Sequence, residues 1–305
     1  MENMTHIPVL LDEVTDYLSC REKGVYIDGT FGAGGYTRAI LNAHPENHVI
    51  GFDRDPNAMK SALAMEGQYP HRFSFIHDCF GNMATYLDEP VDGIVLDLGV
   101  SSMQIDAPER GFSFRFDGPL DMRMGQVGKS AKDYVNGLSE KELADIIFTY
   151  GEEKASRRIA SAIVKSRTEK PITTTLQLAE LIHSVMPRPR DGSDSAMRTF
   201  QALRIYVNDE LGELERALDA SMHLLKPGGR LVVVSFHSLE DRLIKNFLIH
   251  NSSAHTHQNR YAPEMKTNAG LFTVLTKKPV TAGQAELSRN PRAHSAKLRA
   301  ARRAS

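Results

Sequence analysis

The sequence predicts an α/β fold whose strand and helix alternation is interrupted by a helical insertion. Three observations predict it. Val25 to Thr37 reads as strand, glycine loop and helix start. Aspartates recur at the ends of successive apolar runs, at Asp28, Asp53, Asp78 and Asp97. The rhythm stops after these runs, gives way to helical periodicity, and resumes with another apolar run at Arg230 to Phe236.

The first element after a short helical entry (His6 to Val14, with Pro8 near its start) is the strand ending at Asp28. Gly29, Gly32, Gly34 and Gly35 follow within seven residues. Such a loop lets backbone N–H groups face a ligand at the N-terminus of the next helix. A dinucleotide fingerprint counted from Gly32 and Gly34 fails, because Thr37 stands where its third glycine belongs. Taken alone, the loop also reads as a tight turn with no ligand.

His48 to Phe52 is the second strand, and Asp53 beyond it stands where a nucleoside-binding sheet places its ribose acceptor. Asp55, followed by Pro56, suits a helix N-cap. Phe73 to His77 is the third strand. Beyond it Asp78 is placed to accept from an adenine amino group, and Phe80 either stacks on the ring or belongs to the core. Asp92 to Leu98 is the fourth strand, with Asp97 near its carboxyl end. Ligands of open α/β sheets sit outside those ends, so the four acids converge on one region.

The insertion spans residues 106–198, leaving 1–105 and 199–305 as one discontinuous domain. Arg110, Phe112, Phe114 and their neighbours alternate aromatic and basic side chains, which suits base stacking with phosphate pairing and equally a half-buried extended segment. Ser139 with Glu142 and Thr174 with Gln177 are capping boxes before apolar helical stripes. Arg157 and Arg158 give a basic helix side, and Arg188 and Arg190 stand in a loop.

Phe200 to Leu225 repeats apolar residues at spacings of three and four, predicting one long helix. The fifth strand, Arg230 to Phe236, leads to His237, a candidate catalytic residue that positions a base, and Ser238, an N-cap for the next helix. Leu271 to Thr276 is a further strand. The end, carrying Arg292 and Arg299, reads as a final strand with a basic side or as a basic tail.

Composition narrows the classes. The 305 residues hold 37 Lys plus Arg against 38 Asp plus Glu, so any nucleic-acid surface must be local. Cys20 and Cys79 lack metal-ligand spacing, and no metal site is expected. The N-terminus has no basic, apolar leader and no stretch is long enough for a membrane span, so the expectation is a cytoplasmic protein with no membrane partner.

S-adenosylmethionine suits this constellation better than a nucleotide phosphate, because it carries a carboxylate, an ammonium, a sulfonium and an adenosine, and needs acids and backbone donors together. The chain resembles, nearly end to end, the RsmH/MraW family of 16S rRNA cytosine-N4 methyltransferases. The resemblance is carried by YIDGTFGAGG, DRDP, LDLGVSS, RGFSFR with DGPLDMRM, RTFQALRIYVN, PGGRLVVVSFHSLEDR and NPRAHSAKLR. It implies a Rossmann-like, class I S-adenosylmethionine-dependent sheet, and methyl transfer to N4 of a cytidine in the decoding region of small-subunit rRNA. The partner it implies is that rRNA within the small ribosomal subunit. The family's cofactor positions fall on Gly34, Gly35, Tyr36, Asp53, Phe80, Asp97 and Gln104. Tyr36 stands where the family often has His, and His294 where it usually has Arg.

Alternatives remain at this point. A methyltransferase of the same fold could act on another RNA or DNA base. Tyr150 and Lys154 have the spacing of a short-chain, nicotinamide-dependent oxidoreductase, but Gly151 follows the tyrosine and the pair falls in the insertion. A non-catalytic RNA-binding protein would fit the arginines, yet not carboxylates gathered at strand ends. For RNA, the candidate contacts are Arg110, Phe112, Phe114, Arg158, Arg292 and Arg299.

Overall fold

The structure is a computed structural model that describes residues 8–187, 192, 194–252 and 270–305. It divides into two compact units, Met1–Gly99 with Leu211–Ser305, and Val100–Glu210. In chain order the elements run α1 (Leu11–Leu18), β1 (Val25–Asp28), α2 (Gly35–Ala43), β2 (His48–Phe52), α3 (Ala58–Gln68), β3 (Phe73–Ile76) and β4 (Val91–Asp97). Next come α4 (Ser102–Ile105), α5 (Ala131–Gly137), α6 (Glu140–Gly151), α7 (Ser156–Glu169), α8 (Thr175–Val185) and α9 (Met197–Asn208). The chain then returns through α10 (Glu210–Leu224), β5 (Leu225–Ser235), α11 (Ser238–His250), β6 (Phe272–Val274), α12 (Gln284–Arg289) and β7 (Lys297–Arg303).

The first unit is built on one seven-stranded sheet in the order β3-β2-β1-β4-β5-β7-β6. The five strands from β3 to β5 are parallel, while β7 runs antiparallel between β5 and β6. This is the Rossmann-like sheet the sequence led us to expect. Strand alternation explains its two cores. Tyr26, Val95, Val232 and Val234 join one apolar cluster with Leu18, Tyr36, Ile40 and Met65, while Ile27, Ile94, Leu96, Leu231 and Val233 join another with Leu214, Leu218, Ile244 and Leu248. Successive residues point to opposite faces, so strands that are apolar throughout need helices on both sides. The order reverses between β1 and β4, with β2 on one flank and β5 on the other; that crevice is the switch point where such sheets bind ligands.

The second unit is helical. Leu120, Met122, Val135, Leu143, Ile147, Ile159, Ile163, Leu178, Ile182, Phe200 and Leu203 form its own core. Both expected capping boxes, Ser139 with Glu142 and Thr174 with Gln177, are present, and Ser130 with Asp133 makes a third that the sequence reading missed.

Two local expectations are corrected. The single helix expected over Phe200 to Leu225 is broken at Asp209, whose φ of 50° is left-handed. A one-residue break does not disturb the apolar repeat, so periodicity could not report it. The N-cap of α11 is His237 and not Ser238: the imidazole accepts the Glu240 N–H, and Glu240 returns a bond to the His237 N–H. Asp55 does lead the turn into α3 by accepting the Asn57 N–H, though the helix itself begins at Ala58.

Candidate active site

The glycine loop between β1 and α2 is held by two of the four strand-end acids. Buried Asp28 accepts the Thr37 hydroxyl at 2.7 Å and the Thr30 N–H at 3.2 Å. Half-buried Asp53 accepts the Gly32 N–H at 2.7 Å and the Asp55 N–H at 2.8 Å. Loop shape is thus fixed before any ligand arrives. Gly34 caps α2 with φ 76°, a conformation side chains rarely adopt. Gly35 is required by packing, because a Cβ there would come within 2.2 Å of Pro8 Cγ.

Tyr36 is a core residue: its buried hydroxyl donates to the Val9 carbonyl, and burial, reinforced by the charges of Asp97 and Asp28, pushes that hydroxyl well above its usual range. Asp78, beyond β3, bonds the Cys79 N–H, Asn82 and Tyr86. Burial opposes its ionisation, but these bonds prevail and hold the carboxyl below its usual value. Phe80 is partly buried on the core, and its Cβ would lie 3.1 Å from a Cβ at Gly29.

Asp97 differs from the other three. Its N–H is bonded to the Thr30 hydroxyl at 2.7 Å, yet its buried Oδ1 has no hydrogen-bond partner. Burial, then the nearby negative charges of Asp28 and Glu240, push its carboxyl up to about 8. Burial likewise raises Asp28 and Asp53 to about 6. Carboxyls at neighbouring strand ends that are all driven toward their neutral forms mark a site short of positive charge. Sulfonium and ammonium groups are the chemistry that would satisfy it.

At the end of β5, His237 and Glu240 form the cap described above. The sheet register pairs Asp97 with Val234, and Gly99 faces the Phe236 ring, so this cap adjoins the β4 end. Gln104 lies in the second unit, buried, with its side chain accepting the Ser101 N–H at 3.0 Å.

The expected RNA contacts divide. Arg158 and Arg292 are exposed. Arg110 is buried and donates to the carbonyls of Arg123 and Met124, with its guanidinium over the Phe112 ring at 5.6 Å. Phe112 and Phe114 pack on the helical core, Phe114 edge-on to Phe200 at 4.6 Å; of the expected alternatives this is the half-buried segment. Arg299 is 7% exposed and grips Asp241 at 2.6 Å, with Lys297 3.7 Å from the same carboxylate. Two of the last strand's basic residues, Lys297 and Arg299, are therefore spent on α11. Arg188 and Arg190 lie outside the described residues, as do His6 and Ile7 of the expected helical entry.

Among the described residues no helix is long and apolar enough to cross a membrane. Comparison with known proteins places the chain. The model of the MraW methylase family matches residues 3–304. A "Ribosomal RNA small subunit methyltransferase H" of Rhodospirillum centenum is 55% identical over 305 residues, covering 98% of this chain and 92% of the relative. Its namesake in Rhodopseudomonas palustris is 52% identical over 302 residues, covering 98% and 90%. A solved structure called a putative rRNA-methylase, from Clostridium thermocellum, aligns with TM-score 0.45 and 16% identity over 98% of this chain and 99% of its own. With the family model matched from residue 3 to residue 304 and more than half of all positions shared with relatives of full length, the chain belongs to the MraW methylase family.

Proposed function

We propose that this chain transfers a methyl group from S-adenosylmethionine to the exocyclic N4 of a cytidine in the decoding region of 16S rRNA, acting in the cytoplasm on the small ribosomal subunit. Family membership supports methylation, and the relatives' names support small-subunit rRNA as substrate. The observation that carries the cofactor is Asp97 Oδ1, a buried acceptor without a partner at the switch point of the sheet.

The residues present fit that donor. Asp97 would hold its cationic end, the Gly32 to Gly35 loop would let it approach the main chain closely, with the Gly32 and Gly34 N–H groups already bonded to Asp53 and the Phe31 carbonyl, and Asp53 has lone pairs left for a ribose hydroxyl after bonding two N–H groups. Phe80 and Asp78 stand beyond β3 on the adenine side. When bound, the donor supplies a methyl carbon already activated by a cationic sulfur. The protein's part is then positioning: the nucleophile must lie in line at about 3 to 3.5 Å. The cytosine must also leave its stack to enter the site. We assign its recognition to the helical insertion, residues 106–198, with exposed Arg158 and the C-terminal Arg292 as phosphate contacts.

Calorimetry with S-adenosylmethionine, followed by nucleoside analysis of treated small-subunit rRNA, tests this reading. N4-methylcytidine is the expected product. Finding 5-methylcytidine or a methylated purine instead, or NADP retained on the purified protein, would overturn it.

A further inference from the structure

The imidazole of His237 has one nitrogen committed and one left over. Nδ1 accepts the Glu240 N–H at 3.4 Å, while Glu240 Oε2 accepts the N–H groups of Phe236 at 2.8 Å and His237 at 3.3 Å. A nitrogen that accepts carries no hydrogen, so the neutral ring bears its hydrogen on Nε2. That Nε2 lies 3.1 Å from Glu240 Oε1, outside hydrogen-bond alignment, and has no hydrogen-bond partner. The two side chains are 10% and 3% exposed, so water does not readily replace the missing acceptor. Capping needs only Nδ1, and the fold gives the second ring nitrogen a carboxylate neighbour but no aligned acceptor.

Its location supplies an explanation. His237 follows the carboxyl end of β5, beside the β4 end that carries the unpartnered Asp97 Oδ1. We propose that His237 Nε2–H reads the target base by donating to the ring N3 of cytosine, with the Glu240 capping box holding the imidazole in that tautomer and orientation. This rests on the cytosine reading above. Cytosine N3 is an acceptor one bond from C4, which carries N4, so fixing N3 also fixes the nucleophile. Uracil carries a hydrogen on N3 and would meet donor with donor, so the same contact selects against it.

Two variants and one altered substrate separate this role from helix capping. His237→Asn keeps an N-cap acceptor but has nothing at the Nε2 position, whereas His237→Gln can bring an amide N–H there. For His237→Asn we expect an unchanged melting temperature and S-adenosylmethionine affinity, with kcat/KM on small-subunit rRNA down about a hundredfold. His237→Gln should recover part of that loss. Replacing the target cytidine by 3-deazacytidine should cost the wild type a comparable factor and cost His237→Asn nothing further. Wild-type rates from His237→Asn, or a wild type indifferent to 3-deazacytidine, would overturn the inference even if one variant folded poorly. A wild type that places no methyl on cytidine N4 would instead sink the functional reading on which it rests.

Discussion

Asp53, at the end of β2, accepts the backbone N–H of Gly32 at 2.7 Å across 21 residues of chain. The acid expected to meet a ribose is therefore also the strut of the glycine loop. Asp53→Ala should weaken S-adenosylmethionine binding by about 1.5 to 3 kcal/mol, the worth of a charged hydrogen bond. The loop should loosen as well, because the Gly32 and Asp55 N–H groups lose their acceptor. Calorimetry reads the first effect and amide exchange at Gly32 the second; unchanged affinity in the folded variant would refute the ribose assignment.

Cofactor affinity should depend on pH through Asp97. Burial raises its carboxyl to about 8, so in the free protein it is protonated below that pH. A cationic ligand favours the ionised form, so binding releases a proton. Affinity should rise with pH, by at most about tenfold per unit, and level off above about 8. Asp97→Asn should flatten the dependence. For the free protein the sign is opposite: a raised carboxyl stabilises the fold at low pH, and that contribution is lost as pH climbs to about 8. Denaturation curves across this range, with wild type and Asp97→Asn compared, check it.

Arg158 and Arg299 should behave as different kinds of arginine. Arg158 is exposed, and its replacement by Ala should weaken RNA binding and reduce the log-log salt slope by roughly 0.7 to 0.9 while leaving the fold intact. Arg299→Ala should leave the salt slope alone. Instead it strips Asp241 of a bond of 2.6 Å in a largely buried pair, costing up to about 3 kcal/mol of stability. Salt titrations and urea melts on both variants discriminate.

The adjacent glycines should fail for separate reasons. Gly34→Ala forces a side chain into φ 76°, at about 1 to 2 kcal/mol, and also sets a Cβ 2.5 Å from Met65 Cε and 2.8 Å from the Phe31 ring. Gly35→Ala drives a methyl to 2.2 Å from Pro8 Cγ, and overpacking of this kind costs about 1 to 3 kcal/mol. Adding Pro8→Ala should rescue Gly35→Ala and leave Gly34→Ala unimproved, as read by denaturant midpoint.

Phe114→Ala should cost up to about 3 kcal/mol of stability, because the partly buried ring packs edge-on against Phe200 at the margin of the helical core. A variant that melts like the wild type but binds RNA poorly would restore the stacking role for this residue.

The sequence by itself determined the elements whose causes are local. The strand ending at Asp28, the glycine loop and the capping boxes at Ser139 and Thr174 each follow from residues within a few positions of one another. Backbone conformation and capping act at that range, so spacing reports them. The cap of α11 shows the limit: Ser238 is the better capping type, yet Glu240 folds back and makes His237 the cap. Only the tertiary structure decided which polar groups are already spent. Arg299 looked like a phosphate ligand until Asp241, 58 residues away, took its guanidinium, and Phe114 looked like a stacking platform until the fold set its ring edge-on against Phe200. Asp97 is the converse: four strand-end acids look alike in sequence, and in the folded chain three have donors on both carboxylate oxygens while Asp97, beside the Tyr36 hydroxyl, keeps Oδ1 without a partner. Whether a charge is satisfied depends on what the fold brings within about 3 Å of it, and that distance is set by packing between segments remote in sequence.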